Sequence, residues 1–202
     1  MNAKLTLALV AALATPLLAE VDLTPPDSAT EAEGLEAWAR IYEVASHPRC
    51  SNCHTGESDR PMWSGPSYGQ ARPHGMNVRA GESRFGAEYV PCQTCHTTMS
   101  EDWENANAMP HSAPRVPMFW QLAPVEADWF GRSSPEICEQ LRDPARNGDR
   151  DMMALAEHLD HDLILHWAWN PGGTREPAPY SLQEHVDDIL IWGVAGMPCP
   201  EN

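Results

Sequence analysis

The chain has 202 residues, of which 13 are Lys or Arg and 29 are Asp or Glu, so its formal net charge at pH 7 is −16. A chain this acidic is repelled by the phosphate backbone, which argues against nucleic acid as a partner. The same charge favours association with proteins that present basic docking surfaces.

Residues 1–19 are predicted to form a signal peptide. Lys4 precedes an apolar run over residues 5–14, and small or apolar residues lead to a cleavage point before Glu20. The run is too short and too interrupted for a membrane span, so we expect no stable span after cleavage. An uncleaved membrane anchor is the alternative. Such a signal peptide would direct the protein out of the cytoplasm, in a bacterium to the periplasm.

Residues 20–46 are predicted to form an extended leader followed by a helix. Pro25 and Pro26 lie in the leader. Thr30 and Glu33 have the spacing of a capping box, which marks a helix start. Apolar residues then recur every three or four positions up to about Ser46, which predicts an amphipathic helix.

Two Cys-x-x-Cys-His motifs dominate the rest of the chain, one at residues 50–54 and the other at residues 92–96. The two thiols of such a motif can add to the vinyl groups of one haem, and the adjacent histidine can then ligate its iron. The sequence therefore predicts two haem c groups. The predicted haem-linked residues are Cys50, Cys53, Cys92 and Cys95, and the predicted proximal iron ligands are His54 and His96.

A four-cysteine zinc site and a thioredoxin-like dithiol are the alternatives for these cysteines. Neither needs a histidine directly after the second cysteine, and a histidine at both positions by chance has a probability on the order of 0.2%. The motifs resemble those of c-type cytochromes. In bacteria that resemblance implies haem attachment outside the cytoplasm, in agreement with the predicted export.

Residues 47–202 are predicted to form one dihaem cytochrome c domain of mainly α class, with long irregular loops that wrap the haems. Residues 55–91 and 97–124 are rich in Gly, Pro and Ser and show no sustained period, which predicts loop. The motifs lie 42 residues apart, but little else aligns at that shift, so we expect no duplicated domain.

The C-terminal third is predicted to be helical. Ser134 and Pro135 open a helix that ends at Arg142, an apolar stripe runs over residues 149–169, and Ser181 caps a last helix. Asp160 could divide the stripe into two helices.

Cys138 and Cys199 remain after the four haem-linked cysteines are set aside. An even pair in an exported protein suggests a disulfide, and two free thiols are the alternative.

The second axial ligand of each iron decides between electron transfer and catalysis, because two strong ligands leave no site for a substrate. His74 and Met76 lie about twenty residues after His54, in a loop that could fold over the first haem. The candidate distal ligands are His74, His158 and His111, followed by Met76 and Met109. His161 and His166 lie in the same helical stretch as His158, and His47 is expected to be a packing neighbour.

Several segments resemble a family of small bacterial proteins described as an isoquinoline oxidoreductase subunit. They include Trp120–Pro124, Ile137–Leu141, Asp143–Gly148, Asp162–Trp169 and Glu176–Pro179, and the resemblance covers residues 47–200. It implies a cytochrome c that passes electrons from a periplasmic molybdenum hydroxylase. The family pattern favours His74 and His158 and does not include His111.

The leading hypothesis is a periplasmic electron carrier that shuttles electrons to or from a larger oxidoreductase, with no catalytic residue of its own. The redox partner is expected to be a molybdenum hydroxylase or another periplasmic oxidoreductase. One alternative is a dihaem peroxidase-like enzyme with one open haem site, for which the chain is small. The other is a haem-based redox sensor.

Overall fold

The computed structural model describes residues 21–65, 69–100, 102–109 and 112–201. The predicted signal peptide and the candidate ligand His111 lie outside the described residues. The described chain is mainly helical, as predicted. Its helices are α1 (Glu31–Ser46), α2 (Pro48–Ser51), α3 (Trp103–Ala106), α4 (Ser134–Arg142), α5 (Pro144–Asn147), α6 (Met152–His161), α7 (Leu163–Trp169) and α8 (Leu182–Val194).

Two short strands interrupt the segment that was predicted to be loop. β1 (Met62–Gly65) and β2 (Gly69–Pro73) pair antiparallel, with Trp63 opposite Arg72. The strands have four and five residues and include Gly and Pro, so the sequence lacks the apolar alternation that would have revealed them. Pro73 ends β2 and delivers His74 directly after it.

Several helices begin directly after a polar residue whose side chain accepts from a backbone N–H group of the first turn. The predicted capping box of α1 is present: the Thr30 hydroxyl accepts from the Glu33 N–H at 3.3 Å, and the Glu33 carboxylate accepts from the Thr30 N–H at 2.8 Å. Ser181 caps α8 in the same way. The N-cap of α4 is Ser133, one residue before the predicted Ser134.

The apolar stripe over residues 149–169 is broken at Asp162, not at Asp160. The Asp162 side chain accepts from the Ile164 N–H at 2.8 Å and caps α7. Asp162 therefore separates α6 from α7, and the two helices make different contacts. α6 packs against α8, whereas α7 contributes Trp167 to a second apolar cluster.

The main core lies between α1, α4, α6 and α8. Trp38 and Trp192 are fully buried there, with ring centroids 5.1 Å apart. Each indole N–H has a partner, because Trp38 donates to the Ser134 hydroxyl at 2.8 Å and Trp192 donates to the Pro198 carbonyl at 2.9 Å. These bonds remove the cost of burying two polar N–H groups.

A second, smaller cluster is built mostly from tryptophan. Its buried members are Trp103, Val116, Trp120 and Trp167, and Cys92 of the second motif packs against it. The main core therefore consists of helices and excludes both motifs, whereas the second cluster includes one. Within the described residues, no helix is long and apolar enough to cross a membrane.

Cys138 and Cys199 form a disulfide, as predicted, with their Cα atoms 5.7 Å apart. The bond joins α4 to the chain beyond α8 and closes a loop with a sequence separation of 61 residues. It constrains the unfolded chain and fixes the C-terminal segment on the main core.

We expect Cys138→Ala/Cys199→Ala to lower the free energy of unfolding by about 4 kcal/mol, because the unfolded chain regains the entropy of a long loop. Urea denaturation monitored by circular dichroism measures this difference. A reductant should lower the stability of the wild type to that of the variant and should leave the variant unchanged. Equal stability of both proteins without reductant would contradict the expectation.

His185 lies in the main core with a buried Nδ1 that has no hydrogen-bond partner among the described residues. Burial lowers its pKa to about 4, because the charged imidazolium would lose its hydration. Below about pH 6.5, His185 therefore binds a proton in the unfolded chain, whereas in the folded chain it stays neutral until the pH falls to about 4. The difference in proton binding has no effect on stability above that pH and destabilises the fold as the pH falls towards 4.

His185→Leu should therefore reduce acid sensitivity. Between about pH 7 and pH 4.5, the variant should lose about 2 kcal/mol less unfolding free energy than the wild type. Urea denaturation at a series of pH values measures the two slopes. His161→Leu is the control, because His161 is exposed and solvent reaches it in both states. Parallel pH profiles for wild type and His185→Leu would refute the assignment.

Candidate functional site

The first Cys-x-x-Cys-His motif begins where α1 ends. The His47 ring accepts from the Arg49 N–H at 3.2 Å and caps α2, so His47 serves the backbone. The Cys50 carbonyl then accepts from the N–H groups of Cys53, at 3.0 Å, and His54, at 3.2 Å. This tight turn places two thiols and an imidazole within five consecutive residues on one short stretch of chain.

The second motif has the same backbone arrangement on a different element. Residues Cys92–Thr94 form a single 3-10 turn, and the Cys92 carbonyl accepts from the N–H groups of Cys95, at 3.2 Å, and His96, at 2.9 Å. The local sequences of the motifs differ at both intervening positions. Their shared hydrogen bonds therefore reflect the spacing of the cysteines and the histidine.

A backbone carbonyl orients each motif histidine. His54 Nδ1 lies 3.1 Å from the Ala127 oxygen, and His96 Nδ1 lies 3.0 Å from the Pro114 oxygen. A carbonyl only accepts, so Nδ1 carries the proton in both rings and Nε2 keeps a free lone pair. This is the tautomer in which imidazole binds a metal ion through Nε2.

A tryptophan ring supports each of these imidazoles. Trp129 stacks on His54 with a centroid distance of 3.5 Å and an interplanar angle of 4°. Trp120 stacks on His96 at 4.9 Å and 14°. The Trp129 indole is itself fixed by the Gln140 side chain at 2.7 Å. Hydrogen bond and stacked ring together leave each imidazole little rotational freedom.

His74 faces the second motif, although its position in the chain suggested the first. Its ring centroid lies 6.1 Å from that of His96. His74 Nδ1 donates to the Gly75 carbonyl at 3.0 Å, so its Nε2 also has a free lone pair. The β1–β2 hairpin positions His74, because Pro73 pairs with Met62 and the His74 N–H donates to the Pro61 carbonyl at 2.8 Å.

The distance between His74 and His96 fits a shared metal ion. A metal–nitrogen bond is about 2 Å long and a ring nitrogen lies about 1.1 Å from the centre of an imidazole, so two imidazoles on opposite sides of one ion have centroids about 6 Å apart. The angle of 54° between the rings is compatible with this geometry, because each ring can rotate about its metal–nitrogen bond.

His158, on α6, lies near enough to the first motif to act electrostatically on His54. Burial is the main cause that lowers the pKa of His54 to about 3; the hydrogen bond to the Ala127 carbonyl opposes it, and the charge of His158 adds to it. His158 is exposed as a residue, but burial around its ring lowers its pKa. The other two histidines of this region are engaged elsewhere: the His161 ring contacts the Glu157 carbonyl at 2.7 Å, and His166 Nε2 donates to the Asp160 carbonyl at 2.6 Å.

The two methionine candidates stay in solvent. The Met76 side chain is 86% exposed and that of Met109 is 69% exposed. His74 shares the loop of Met76 and is only partly buried, but its ring faces the second motif. The structure therefore favours histidine over methionine beside His96.

All four motif cysteines are free thiols. Burial raises the pKa of Cys50 to about 12 and that of Cys53 to about 11, because the thiolate would lose its hydration. Redox-active dithiols require the opposite, a thiol whose pKa is lowered so that the thiolate can attack. The first motif is therefore unsuited to thioredoxin-like chemistry.

The geometry also disfavours the four-cysteine zinc site. Among the residues that the structure describes, which include all four motif cysteines, no group of three or more His, Cys, Asp or Glu side chains could hold a metal ion. A haem needs no such group, because its porphyrin supplies four nitrogens and the protein adds one or two axial ligands.

Apolar side chains beside the second motif remain exposed, and a porphyrin has apolar faces that could cover them. Tyr89 is 56% exposed and Val90 is 49% exposed, directly before the motif. The Phe85 ring is exposed as well, and its carbonyl accepts from the Cys92 N–H at 2.9 Å. The thiols, the free Nε2 atoms and this apolar surface together fit haem.

The two motifs are connected through aromatic rings. The Arg49 guanidinium, next to Cys50, lies over the Trp167 ring at 5.1 Å. Trp167 contacts Trp120 edge to face at 5.2 Å, and Trp120 stacks on His96. The motifs thus belong to one continuous packed region, although the sequence between them is irregular.

Sequence reasoning missed the groups that orient the histidines. The Ala127 and Pro114 acceptors are backbone carbonyls, which any residue could provide. The stacked Trp129 and Trp120 have no sequence spacing that links either one to a particular motif. No family model, curated protein or solved structure matches the chain.

Asn107 holds the segment that orients His96. It is fully buried, donates to the carbonyls of Trp103, at 2.8 Å, and Arg115, at 2.7 Å, and accepts from the Arg115 N–H at 2.9 Å. These bonds fix the chain directly after Pro114, whose carbonyl binds the His96 ring.

We expect Asn107→Ala to lower the free energy of unfolding by about 3 kcal/mol, because it leaves buried backbone groups without partners. Urea denaturation measures the loss. Asn105→Ala is a matched control, since the Asn105 side chain is exposed and donates to the exposed Asp102 carboxylate. A loss no greater than that of the control would show that the buried amide does not hold this segment.

Proposed function

We propose that the protein is a periplasmic dihaem cytochrome c that carries electrons to or from a larger oxidoreductase. The observation that carries the proposal is the pair His74 and His96, whose rings are spaced for one iron and whose Nε2 atoms are both free. The repeated geometry of the two motifs gives independent support.

The residues proposed to hold each haem follow from the site. Cys50 with Cys53 and Cys92 with Cys95 form the thioether bonds, His96 with His74 ligates one iron, and His54 with His158 ligates the other. A bound haem supplies one-electron chemistry between ferric and ferrous iron. The chain contributes the covalent attachment, the fixed imidazole tautomers and the apolar cover that excludes water.

Ligation by two histidines favours electron transfer over catalysis. An imidazole on each side of the iron leaves no position for peroxide or another substrate, and it keeps the reduction potential lower than ligation by histidine and methionine. Met76 and Met109, the side chains that would raise the potential, are exposed. A peroxidase-like enzyme would instead need one iron with an open position.

The compartment and the partner are inferred from redox state and charge. The disulfide between Cys138 and Cys199 is typical of proteins from oxidising compartments, which supports export to the periplasm. A net charge of −16 favours a partner with a basic docking surface. We propose a periplasmic oxidoreductase in this role, of which a molybdenum hydroxylase is one class.

The first test is the mass and the spectrum of the protein purified from a bacterial periplasm that attaches haem c. We expect a mass increase of two haems, with both ferric irons low-spin in electron paramagnetic resonance and no binding of carbon monoxide by the ferrous form. Colourless protein without added mass would refute the proposal. A high-spin iron that binds carbon monoxide would favour the peroxidase-like alternative.

The second test removes the distal ligands one at a time. His74→Ala and His158→Ala should each convert one of the two low-spin signals to a high-spin signal, because each opens one axial position, and each ferrous variant should bind one carbon monoxide per protein. Met76→Ala and His161→Ala are the controls, because both side chains are exposed neighbours of the proposed ligands. Two unchanged low-spin signals in His74→Ala would remove this residue from the site.

A further inference from the structure

The described chain contains 12 arginines and no lysine, because the only lysine is Lys4. Several arginines make ion pairs with nearby carboxylates: Arg40, Arg79, Arg132, Arg142 and Arg146. With 29 acidic residues in the chain, carboxylate partners are abundant. An arginine that is buried without one is therefore unexpected.

Arg84 is partly buried and makes no ion pair in the described part of the chain, although Asp59 and Glu126 lie near enough to act on its charge. Its Nε donates to the Ala123 carbonyl at 2.8 Å and its Nη1 to the Ser58 carbonyl at 3.4 Å. Its Nη2 is buried and has no hydrogen-bond partner in the described part of the chain. A buried nitrogen of a charged group without an acceptor costs stability, so an acceptor is expected to complete the site.

The Arg84 backbone is held in an unfavourable conformation. Its φ is 62°, in the left-handed region that residues with a side chain rarely adopt. The Arg84 carbonyl accepts from the Leu122 N–H at 2.8 Å, which fixes this conformation. Such strain persists where the surroundings require a particular side-chain position, often at a binding site.

Arg84 lies beside the first motif. Burial is the main influence on the Cys53 thiol and raises its pKa, whereas the charges of Arg49 and Arg84 act in the opposite direction. Two backbone carbonyls therefore fix a guanidinium near a predicted haem thioether, with one nitrogen unpaired.

Arg115 lies in the segment that orients the histidine of the second motif. Its Nε is buried without a hydrogen-bond partner among the described residues. Its backbone is held by the buried Asn107, and it directly follows Pro114, whose carbonyl orients His96. Each motif thus has one arginine whose backbone is fixed and whose guanidinium has a buried unpaired nitrogen.

We propose that Arg84 and Arg115 bind the propionate carboxylates of the two haems, one arginine at each site. The inference rests on the proposed function, because it requires haem at both motifs. A propionate would supply an acceptor for the one guanidinium nitrogen that lacks a partner in each arginine, and arginine binds carboxylates through directed, charge-assisted hydrogen bonds. Both residues are therefore positioning residues that also adjust the redox properties of the irons.

The redox consequence follows from charge. A guanidinium near the porphyrin favours the ferrous state, which has one positive charge fewer, and it keeps the paired propionate ionised. Loss of the arginine should lower the potential and raise the pKa of the propionate. Reduction would then be coupled to proton uptake at mildly acidic pH.

The experiment compares Arg84→Gln and Arg115→Gln with the control Arg142→Gln, which removes the same charge from an exposed pair with Glu139 on α4. Spectroelectrochemical titration from about pH 5 to pH 8 measures both potentials. In each test variant, we expect the reduction equilibrium of one haem to shift about tenfold towards the ferric form, about 59 mV for one electron, and to become dependent on pH. The control should follow the wild type.

A second measurement uses the wild type alone, in case a variant fails to fold. The propionate bending mode in resonance Raman spectra reports hydrogen bonding to the carboxylate. This mode should remain constant between about pH 5 and pH 8 in the wild type. A propionate that titrates freely in this range would overturn the inference without any variant.

The outcomes separate the two proposals. Protein that binds no haem would refute the proposed function and this inference with it. Protein with two haems whose potentials and Raman modes are the same in wild type, Arg84→Gln and Arg115→Gln would refute only the inference. Arg84→Lys should restore part of the potential but not the Raman frequency, because lysine keeps the charge without the fork of donors.

Discussion

The hydrogen bond between a histidine Nδ1 and a backbone carbonyl is the interaction on which the site depends. Both carbonyls, Pro114 and Ala127, lie in one stretch of irregular chain between α3 and α4. That stretch also supplies the stacked rings of Trp120 and Trp129. A segment with little regular structure thus fixes both imidazoles, and its own position is fixed by buried groups such as Asn107.

The division of the chain into two apolar regions explains how such a segment stays ordered. The main core of α1, α4, α6 and α8 is closed by the disulfide and by the ion pair of Arg40 with the buried Asp188. Its buried members include no motif residue, but Trp129, which stacks on His54, packs against it. The second cluster is small and rich in tryptophan, and the second motif packs directly on it. We therefore expect the helical core to fold without a ligand and the motif region to gain stability when a ligand binds.

The sequence predicts the features that are encoded locally. The start of α1 is marked by the capping residues Thr30 and Glu33, and the start of α8 by Ser181 and Glu184. Two cysteines lie outside the motifs, Cys138 and Cys199, and their even number indicates a disulfide. Features that depend on distant contacts were not predictable. The β1–β2 pair has no apolar alternation, and the His74 ring that follows it faces His96 of the second motif. The helix break at Asp162 was not predictable, because the sequence does not show whether Asp160 or Asp162 caps the first turn of α7.

The spacing of His74 and His96 has a further meaning for affinity. The two rings stand at a distance suited to one metal ion, and contacts within the protein hold them there: a backbone carbonyl for each Nδ1, Trp120 behind His96, and the strand pair before His74. A site assembled in this way has already lost the conformational entropy that ligand binding would otherwise cost. The same logic applies to Arg84, whose guanidinium is fixed by two carbonyls and whose backbone is strained. The proposed haem sites would therefore be arranged before a haem binds.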